Sequence, residues 1–360
     1  MKRLILTVFV ISLFFLVACK SEEETAKEEP REEEKVEIIE SEEPEEEPLP
    51  PFPLTGLGSE EGEFEYRAFG VMIENSMSAR PQSGLYQADV VYEVLSEGSI
   101  TRLLAIYHSQ QPERIGPVRS ARSYYVHLNK GFDAIYASAG GSPGGLQLAE
   151  SDYVDNISGL VYDGRFFSRS TDRVAPHNMY TTYDDLKAAT DHLGYEWERQ
   201  PPSLYFVDEL EENAGEKVDY FEVKYGSTNN DVQYEYDEQL KKYVRYNGGQ
   251  PTEDLETGEA VAPKNVFIVE MSHRVIPKEE NHIDAGSNRR EIDVESGGRA
   301  YLMQEGTLQE VEWKNVDGII LPFKDDQQVP FLPGQTWVNI VPTNGGGLES
   351  YVSLSNNTVD

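Results

Sequence analysis

A run of charged residues near the N-terminus decides which part of this chain can fold. The segment Lys20–Glu47 holds fifteen glutamates against four basic residues and has almost no apolar side chains. Such a segment cannot bury enough apolar surface to offset the entropy of ordering it. Its like charges also extend it. We therefore predict a disordered acidic stalk over residues 19–60, stiffest near its proline-rich end at Glu47–Leu54, and a folded part that begins only after it.

The residues before the stalk have the pattern of a cleaved leader. Lys2 and Arg3 precede an apolar run from Leu4 to Ala18, which is short for a membrane helix and typical of a signal-peptide core. Leu16-Val17-Ala18-Cys19 matches a lipobox, in which the peptide over residues 1–18 is removed and the thiol of Cys19 takes a diacylglycerol, whose acyl chains can be palmitate. An ordinary secretory peptide with an incidental cysteine is the alternative.

Cys19 is the only cysteine of the chain, so it can form no intramolecular disulfide. The lipobox reading therefore predicts a protein held by its lipid anchor at the outer face of the cytoplasmic membrane, in a Gram-positive bacterium. The formal net charge of −34 argues against nucleic acid as a partner.

After the stalk, a change in the hydrophobic periodicity of the sequence predicts two domains. Residues 61–200 alternate strand-like and helix-like runs, whereas residues 218–360 show short strands with period-two alternation and hairpin signals. A polar linker over residues 201–217 separates them. We expect an α+β fold with layered β-sheets and helices in the N-terminal domain and a mainly β C-terminal domain. The elements expected in the first domain are strands over Tyr66–Ile73, Asp89–Leu95, Ile100–His108 and residues 133–139, a helix over Ser120–Asn129, and a second helix from Gly144.

Arginines concentrate in the first domain although the protein is acidic. Eight arginines and one lysine lie between Arg80 and Arg173. Guanidinium is preferred over ammonium where planar contact to a carboxylate or phosphate matters. With Ser120 as helix cap, Arg119 and Arg122 would lie at a helix N-terminus, where cations are unfavourable unless an anion binds there.

Internal ion pairs are the alternative for each arginine. For Arg102 we favour this alternative, because a turn centred on Glu97-Gly98 would place Glu93 opposite Arg102. For Arg119 and Arg122, an anion site and internal pairing are both open.

The stretch "AGGSPGG" contains Gly140-x-Ser142-x-Gly144, the pattern of a serine-hydrolase nucleophile elbow. The next residue, Pro143, has no backbone N–H to offer an oxyanion, which argues against that chemistry. We interpret the loop around Gly141 and Ser142 as a place of close approach for a ligand or another segment.

Histidines give a weaker signal. His177 and Asn178 follow a proline in "RVAPHNMY", and a lone histidine is usually structural. His273 and His282 flank two glutamates, but their spacing fits no compact metal motif, so we expect neither metal nor cofactor. The candidate ligand-binding residues are Arg80, Arg119, Arg122, Gly141, Ser142, His177 and Asn178; no catalytic residue is assigned.

Several stretches together resemble the YerB-type lipoproteins. They are "VMIENSMSARPQSGLYQADVVYEVLSEGSITRLLAIYHS", "IGPVRSARSYY", "GGSPGG", "APHNMY", "YEYDEQLKKYVRYNGG", "WKN" and "PGQTWVNIVP". The resemblance covers nearly all of residues 64–345 and is more specific in the first domain. It implies a two-domain α+β bacterial surface protein and brings no established activity.

A fainter similarity, in "ADVVYEV", "IGPVRSAR" and "FDAIYASAGG", is to the LytR-CpsA-Psr phosphotransferases, which grip a polyprenyl pyrophosphate with arginines. Their acidic signature after the arginine is missing here, since Ser120 follows Arg119. We therefore expect a non-enzymatic surface lipoprotein that binds an anionic envelope component or a protein partner through its arginines. An envelope phosphotransferase acting on pyrophosphate-linked wall precursors is the alternative.

Overall fold

A computed structural model describes residues 49–59, 64–211 and 214–355. The signal peptide, Cys19 and the stalk as far as residue 48 lie outside the described residues. Residues 49–59, which the sequence analysis assigned to the stalk, pack against the folded body: Leu54 is fully buried, and the Thr55 carbonyl accepts a hydrogen bond from the Gly334 N–H at 2.8 Å. Among the described residues, no helix combines the length and apolar character that crossing a membrane requires.

Strands dominate the described chain. Those of the first half are β1 (Phe69–Glu74), β2 (Val90–Leu95), β3 (Thr101–Tyr107), β4 (Ile135–Ser138), β5 (Asn156–Ser158), β6 (Ser168–Arg169) and β7 (Met179–Tyr180). Those of the second half are β8 (Glu216–Lys217), β9 (Tyr220–Val223), β10 (Val232–Asp237), β11 (Lys242–Asn247), β12 (Gln250–Pro251), β13 (Asn265–Met271), β14 (His273–Val275), β15 (Arg290–Ile292), β16 (Gly298–Gln304), β17 (Thr307–Val316), β18 (Ile319–Lys324), β19 (Gln327–Gln328), β20 (Thr336–Pro342) and β21 (Val352–Ser355).

Four α-helices are described: α1 (Ser123–Gly131), α2 (Pro143–Ala149), α3 (Tyr183–Leu193) and α4 (Leu348–Tyr351). Two short 3-10 turns, Met77–Ala79 and Leu85–Gln87, follow β1. The fold is thus α+β with few helices, all but α4 in the first half, and a mainly β second half. This confirms the fold class predicted from the sequence.

One large sheet runs through both halves in the order β19-β18-β17-β16-β13-β20-β2-β3-β1-β4-β5, with β8 beside β17. Its central strands are apolar runs buried on both faces, as expected of strands covered on two sides. In β1, Val71 and Ile73 face one hydrophobic core and Met72 faces the other. The five-stranded sheet β12-β11-β10-β9-β21 contributes to the first of these cores.

The two halves are joined by strand pairing. β2 of the first half lies parallel to β20 of the second, with Val90 opposite Thr336 and Val94 opposite Ile340. The described residues from 49 onward group into one compact unit. The domain limits at 61–200, 201–217 and 218–360 therefore stay a prediction, which proteolysis can test.

Two local expectations were wrong by a few residues. Glu93 lies opposite Leu103 and not Arg102, because the Ser96 N–H bonds to the Ile100 carbonyl and closes a three-residue loop that holds Gly98 at φ 61°. The helix expected from Ser120 begins at Ser123 with Arg122 as its N-cap residue. The Ser120 hydroxyl instead donates to the Ala139 carbonyl at 3.2 Å.

Candidate functional site

The segment around Arg119 pairs antiparallel with the end of β1, next to the carboxyl end of the parallel strand β4. The Arg119 N–H donates to the Met72 carbonyl of β1 at 2.8 Å, and its carbonyl accepts from the Ala139 N–H, just after β4, at 2.9 Å. In open sheets with parallel strands, ligands bind at this edge. Arg119 is therefore held by backbone pairing where a binding site is expected.

A single carboxylate organises this edge. Glu74, the last residue of β1, is buried, and its Oε2 lies 3.3 Å from Nε of Arg119 and 2.9 Å from Nδ1 of His177. The Ser76 hydroxyl donates to its Oε1 at 2.9 Å. The structure thus brings together Arg119 and His177, which are 58 residues apart in the sequence, on one oxygen atom of Glu74.

The outer nitrogens of these two side chains remain available. Among the described residues, neither the Nη atoms of Arg119 nor Nε2 of His177 has a hydrogen-bond partner, and the two side chains are 23% and 28% exposed. Because a carboxylate can only accept, Nδ1 of His177 carries a proton, and Nε2 accepts a hydrogen bond when the ring carries no second proton. The pair therefore offers a fork of guanidinium donors beside one imidazole acceptor.

Arg80 lies close by, next to the 3-10 turn after β1. Its Nε and Nη2 donate to the Asn75 carbonyl at 3.1 and 2.7 Å, and its Nη1 donates to the Asn229 carbonyl at 2.7 Å. Burial, together with the nearby Arg245 cation, lowers the pKa of Arg80 to about 10 although Glu93 opposes the shift. Arg80 thus connects the two halves through neutral oxygens, and no carboxylate of the described residues forms an ion pair with it.

Arg122 has a different environment. It and Arg102 both pair with Glu97 in the loop between β2 and β3, and the Arg102 pair measures 2.9 Å. Burial alone would raise the pKa of Glu97, but Arg102 and then Arg122 outweigh it and lower that pKa. The internal ion pair expected for Arg102 therefore forms with Glu97 instead of Glu93. Arg122 binds the same carboxylate.

Asp284, from a distant segment of the chain, contacts the glycine-rich loop at residues 140–145. The Oδ1 of Asp284 accepts from the Gly144 N–H at 2.9 Å, and its Oδ2 accepts from the buried Ser142 hydroxyl at 3.1 Å. The Ser142 hydroxyl in turn caps α2 by accepting from the Gly145 N–H at 3.1 Å. Asp284 is thus the anion at this helix N-terminus, and Ser142 is a cap.

The glycines of this loop are needed for close packing. A Cβ on Gly141 would lie 2.9 Å from Cγ of Leu146, and one on Gly144 would lie 2.6 Å from Oδ2 of Asp284. Asn178 also has partners within the chain, since its Oδ1 accepts from Nη1 of Arg169 at 3.1 Å. Of the seven candidate residues, Arg80 forms no ion pair with a carboxylate of the described residues, and Arg119 and His177 keep partly exposed nitrogens that have no hydrogen-bond partner there. Nε of Arg122 has no partner either, but it is buried.

The carboxylates that organise these clusters, Glu74, Glu97 and Asp284, were not among the sequence candidates. For Glu74 a signal was present, because an acidic residue ends the apolar run "FGVMI" directly before "NS". Among the described residues, no group of three or more His, Cys, Asp or Glu side chains is placed to hold a metal ion.

Comparison with known proteins identifies two matched regions. The sequence profile "Protein of unknown function (DUF3048) N-terminal domain" matches residues 54–196, and the corresponding C-terminal profile matches residues 221–338. The Bacillus subtilis (strain 168) protein named "Putative lipoprotein YerB" is 46% identical over 292 residues, which cover 81% of this chain and 86% of that protein.

A solved structure matches as well. The crystal structure of YerB protein from Bacillus subtilis superposes with a TM-score of 0.77 at 43% identity, covering 85% of this chain and 100% of that one. Neither name supports the phosphotransferase alternative.

Proposed function

We propose that this chain, which belongs to the YerB-type family defined by the paired DUF3048 domains, is a cell-surface lipoprotein that binds an anionic envelope component at Arg119 and His177. The observation that carries the proposal is the convergence of both side chains on Oε2 of Glu74, with their outer nitrogens left without partners in the described part of the chain.

The lipid anchor is supported by sequence and by family. A relative that aligns with 81% of this chain is named a lipoprotein, and Cys19 is the only residue here that could carry a thioether-linked lipid. Each buried methylene of an acyl chain contributes roughly 0.8 kcal/mol to membrane attachment. The anchor would hold the protein at the outer face of the cytoplasmic membrane of a Gram-positive bacterium.

The Glu74 carboxylate orients both side chains and leaves the outer donors of Arg119 without a partner among the described residues. Arg119 is permanently charged, and its Nη atoms point away from the single Nε contact with Glu74. In a protein of net charge −34, an anionic ligand is repelled by most of the surface. The free guanidinium donors of Arg119 would give such a ligand a specific binding site.

Exposed apolar side chains border the same edge. The Leu160 side chain would touch a Cβ on Gly140 at 3.2 Å, beside Ser120, and Val174 accepts the His177 N–H through its carbonyl at 3.0 Å. Leu160 and Val174 are 57% and 82% exposed. Large exposed apolar residues around a polar centre are typical of interaction surfaces.

The site lies at the far end of the strands from the point where the chain enters the folded body. Residues 49–59 pack near the start of β20 and the end of β3, where Phe52 contacts His108. Glu74 is at the opposite end of β1, about 20 Å away for a strand of six residues. This arrangement places the Arg119–His177 pair at the end of β1 opposite residues 49–59, which carry the chain toward its anchor.

Binding of a phosphate-bearing polymer tests the proposal. The full chain, solubilised with its anchor in neutral detergent, is titrated with a soluble poly(glycerol phosphate) oligomer by calorimetry at low ionic strength. We expect Arg119→Gln to weaken binding at least tenfold. Arg165→Gln, which removes one exposed arginine away from Glu74, serves as the charge-matched control and should bind as the wild type does. Equal binding by both variants would refute the site.

A further inference from the structure

A second concave surface lies between the two halves of the folded body. It encloses a groove of about 390 Å³ between the turn after β1 and the hairpin β11–β12. Its apolar wall consists of Met77, Pro81 and Pro251, and Met77 is 61% exposed. A groove of this size accommodates one or two sugar rings, within the range of small-molecule sites.

Planar polar groups line the rest of the groove. The side chains that contribute them are Arg80, Gln82, Asn229, Asn247, Gln250 and Glu253. Planar amide, guanidinium and carboxylate groups can each bond two neighbouring hydroxyls, because their donors and acceptors lie in one plane. Such a lining suits a polyhydroxylated ligand better than an apolar one.

One lining residue has an unmet hydrogen-bonding requirement. Asn247 is 4% exposed, and its Nδ2 donates to the carbonyls of Asn230 and Asp231 at 3.3 Å each. Its Oδ1 is buried and has no partner. A buried acceptor without a partner costs free energy, and rotation of the Asn247 amide toward the groove when a ligand binds would give this oxygen a hydroxyl donor.

Arg80 supplies the charge of the groove. Its guanidinium bonds only to neutral oxygens, those of Asn75, Asn229 and Asn230, and it is half-buried. Burial and the nearby Arg245 cation lower its pKa to about 10, although Glu93 opposes the shift. An anionic group against Arg80 would stabilise its cationic form.

We infer that this groove binds an acidic carbohydrate, whose carboxylate or phosphate lies against Arg80 and whose hydroxyls bond to Asn247 and to the amides of the rim. The groove is separate from the Arg119–His177 pair, so the inference does not depend on the proposed function. Because its walls come from both halves of the chain, the ligand would also bridge β1 and the five-stranded sheet.

Blocking the rim tests the inference without disturbing buried groups. Gln250→Trp places a bulky ring at an exposed position of the groove, and Gln239→Trp places the same ring on the exposed turn between β10 and β11 as a control. The full chain in detergent is titrated with glucuronic acid, glucose 1-phosphate and glucose by ligand-observed NMR.

We expect both acidic sugars to bind with a dissociation constant on the order of 1 mM, the usual strength for a ligand of this size. Glucose should bind at least tenfold more weakly. Gln250→Trp should abolish binding, whereas Gln239→Trp and Arg119→Gln should retain it.

Two results would overturn the inference: equal binding of glucose and the acidic sugars, or unchanged binding in Gln250→Trp. Loss of polymer binding in Arg119→Gln with intact sugar binding would leave both proposals standing. Sugar binding together with no effect of Arg119→Gln on the polymer would refute the proposed function alone.

Discussion

The guanidinium of Arg245 lies 2.7 Å from the carboxylate of Glu93, and both side chains are almost completely buried. Trp337 of β20 donates its indole N–H to the same Oε2 at 3.1 Å, and Asn75 donates to Oε1 at 3.0 Å. The Arg245 guanidinium also lies over the Trp337 ring at 4.4 Å. This buried pair connects β2 of the first half to the five-stranded sheet of the second.

Removing one partner of this pair should be costly. We expect Glu93→Gln or Arg245→Met to lower the free energy of unfolding by roughly 3–5 kcal/mol, because each leaves the other charge buried and unpaired. The double variant should lose less than the sum of the two. Urea titration followed by tryptophan fluorescence measures this, with Arg299→Met at the exposed Arg299–Glu349 pair as a control that changes stability by less than about 1 kcal/mol.

Asp284 and Gly144 should show a coupled effect on stability. A Cβ at Gly144 would lie 2.6 Å from Oδ2 of Asp284, so Gly144→Ala should destabilise the wild type by roughly 1–3 kcal/mol. Asp284→Ala alone should cost about 1 kcal/mol, since it removes the acceptor at the α2 N-terminus. With the carboxylate gone the added methyl has room, so a double-mutant cycle that shows simple additivity would contradict the contact.

Arg119 and Arg122 should respond differently to the same substitution. Arg122→Gln leaves Glu97 with Arg102 alone and should lower stability by about 1–3 kcal/mol. Arg119→Gln should cost less than about 1 kcal/mol, because Glu74 keeps His177 and Ser76 and the arginine is partly exposed. Thermal melting of both variants checks this order, and the reverse order would assign Arg119 to the architecture of the fold.

His273 predicts a loss of stability in acid. Its ring is buried with no partner for either nitrogen, and desolvation, followed by the Arg290 cation, lowers its pKa to about 3. Because the unfolded ring titrates near 6.5, the unfolded state takes up a proton first as the pH falls. The contribution of His273 is thus fully present above pH 6.5 and is lost between about 6.5 and 3, by roughly 1.4 kcal/mol per pH unit.

His273→Phe should flatten this part of the stability profile. His108, whose pKa desolvation lowers to about 4, adds a slope of the same sign that the variant keeps. Denaturation midpoints measured every half unit from pH 7 to pH 4 distinguish the two proteins. Identical slopes would show that His273 is not buried as described.

Limited proteolysis tests the domain limits. We expect cleavage in the polar segment between Asp208 and Gly215, within the linker predicted from the sequence. The two fragments should remain together on a sizing column, since β2 pairs with β20 along five residues. Fragments that separate without denaturant would show that the two domains are independent.

The strands could be predicted from the sequence because their signal is local. The hairpin β16–β17, with Glu305 and Gly306 at its turn, follows a period-two pattern that a few residues define. The side-chain clusters around Glu74, Glu97 and Asp284 could not be predicted, because their members come together only in the folded chain. Ser142 and Asp284, for example, are 142 residues apart in the sequence. The loop before Ile100 has one residue more than expected, which shifts the strand register by one position. Arg102 therefore forms its ion pair with Glu97 and not with Glu93.

A crystal structure of the protein soaked with a poly(glycerol phosphate) oligomer at low ionic strength would test the Arg119–His177 site most directly. We expect a phosphate oxygen within about 3 Å of the Nη atoms of Arg119 and a ligand hydroxyl donating to Nε2 of His177. We also expect the Glu74 carboxylate to keep both side chains in place. A phosphate bound at another surface, or an unoccupied Arg119 at an oligomer concentration that saturates binding in solution, would contradict the proposed site.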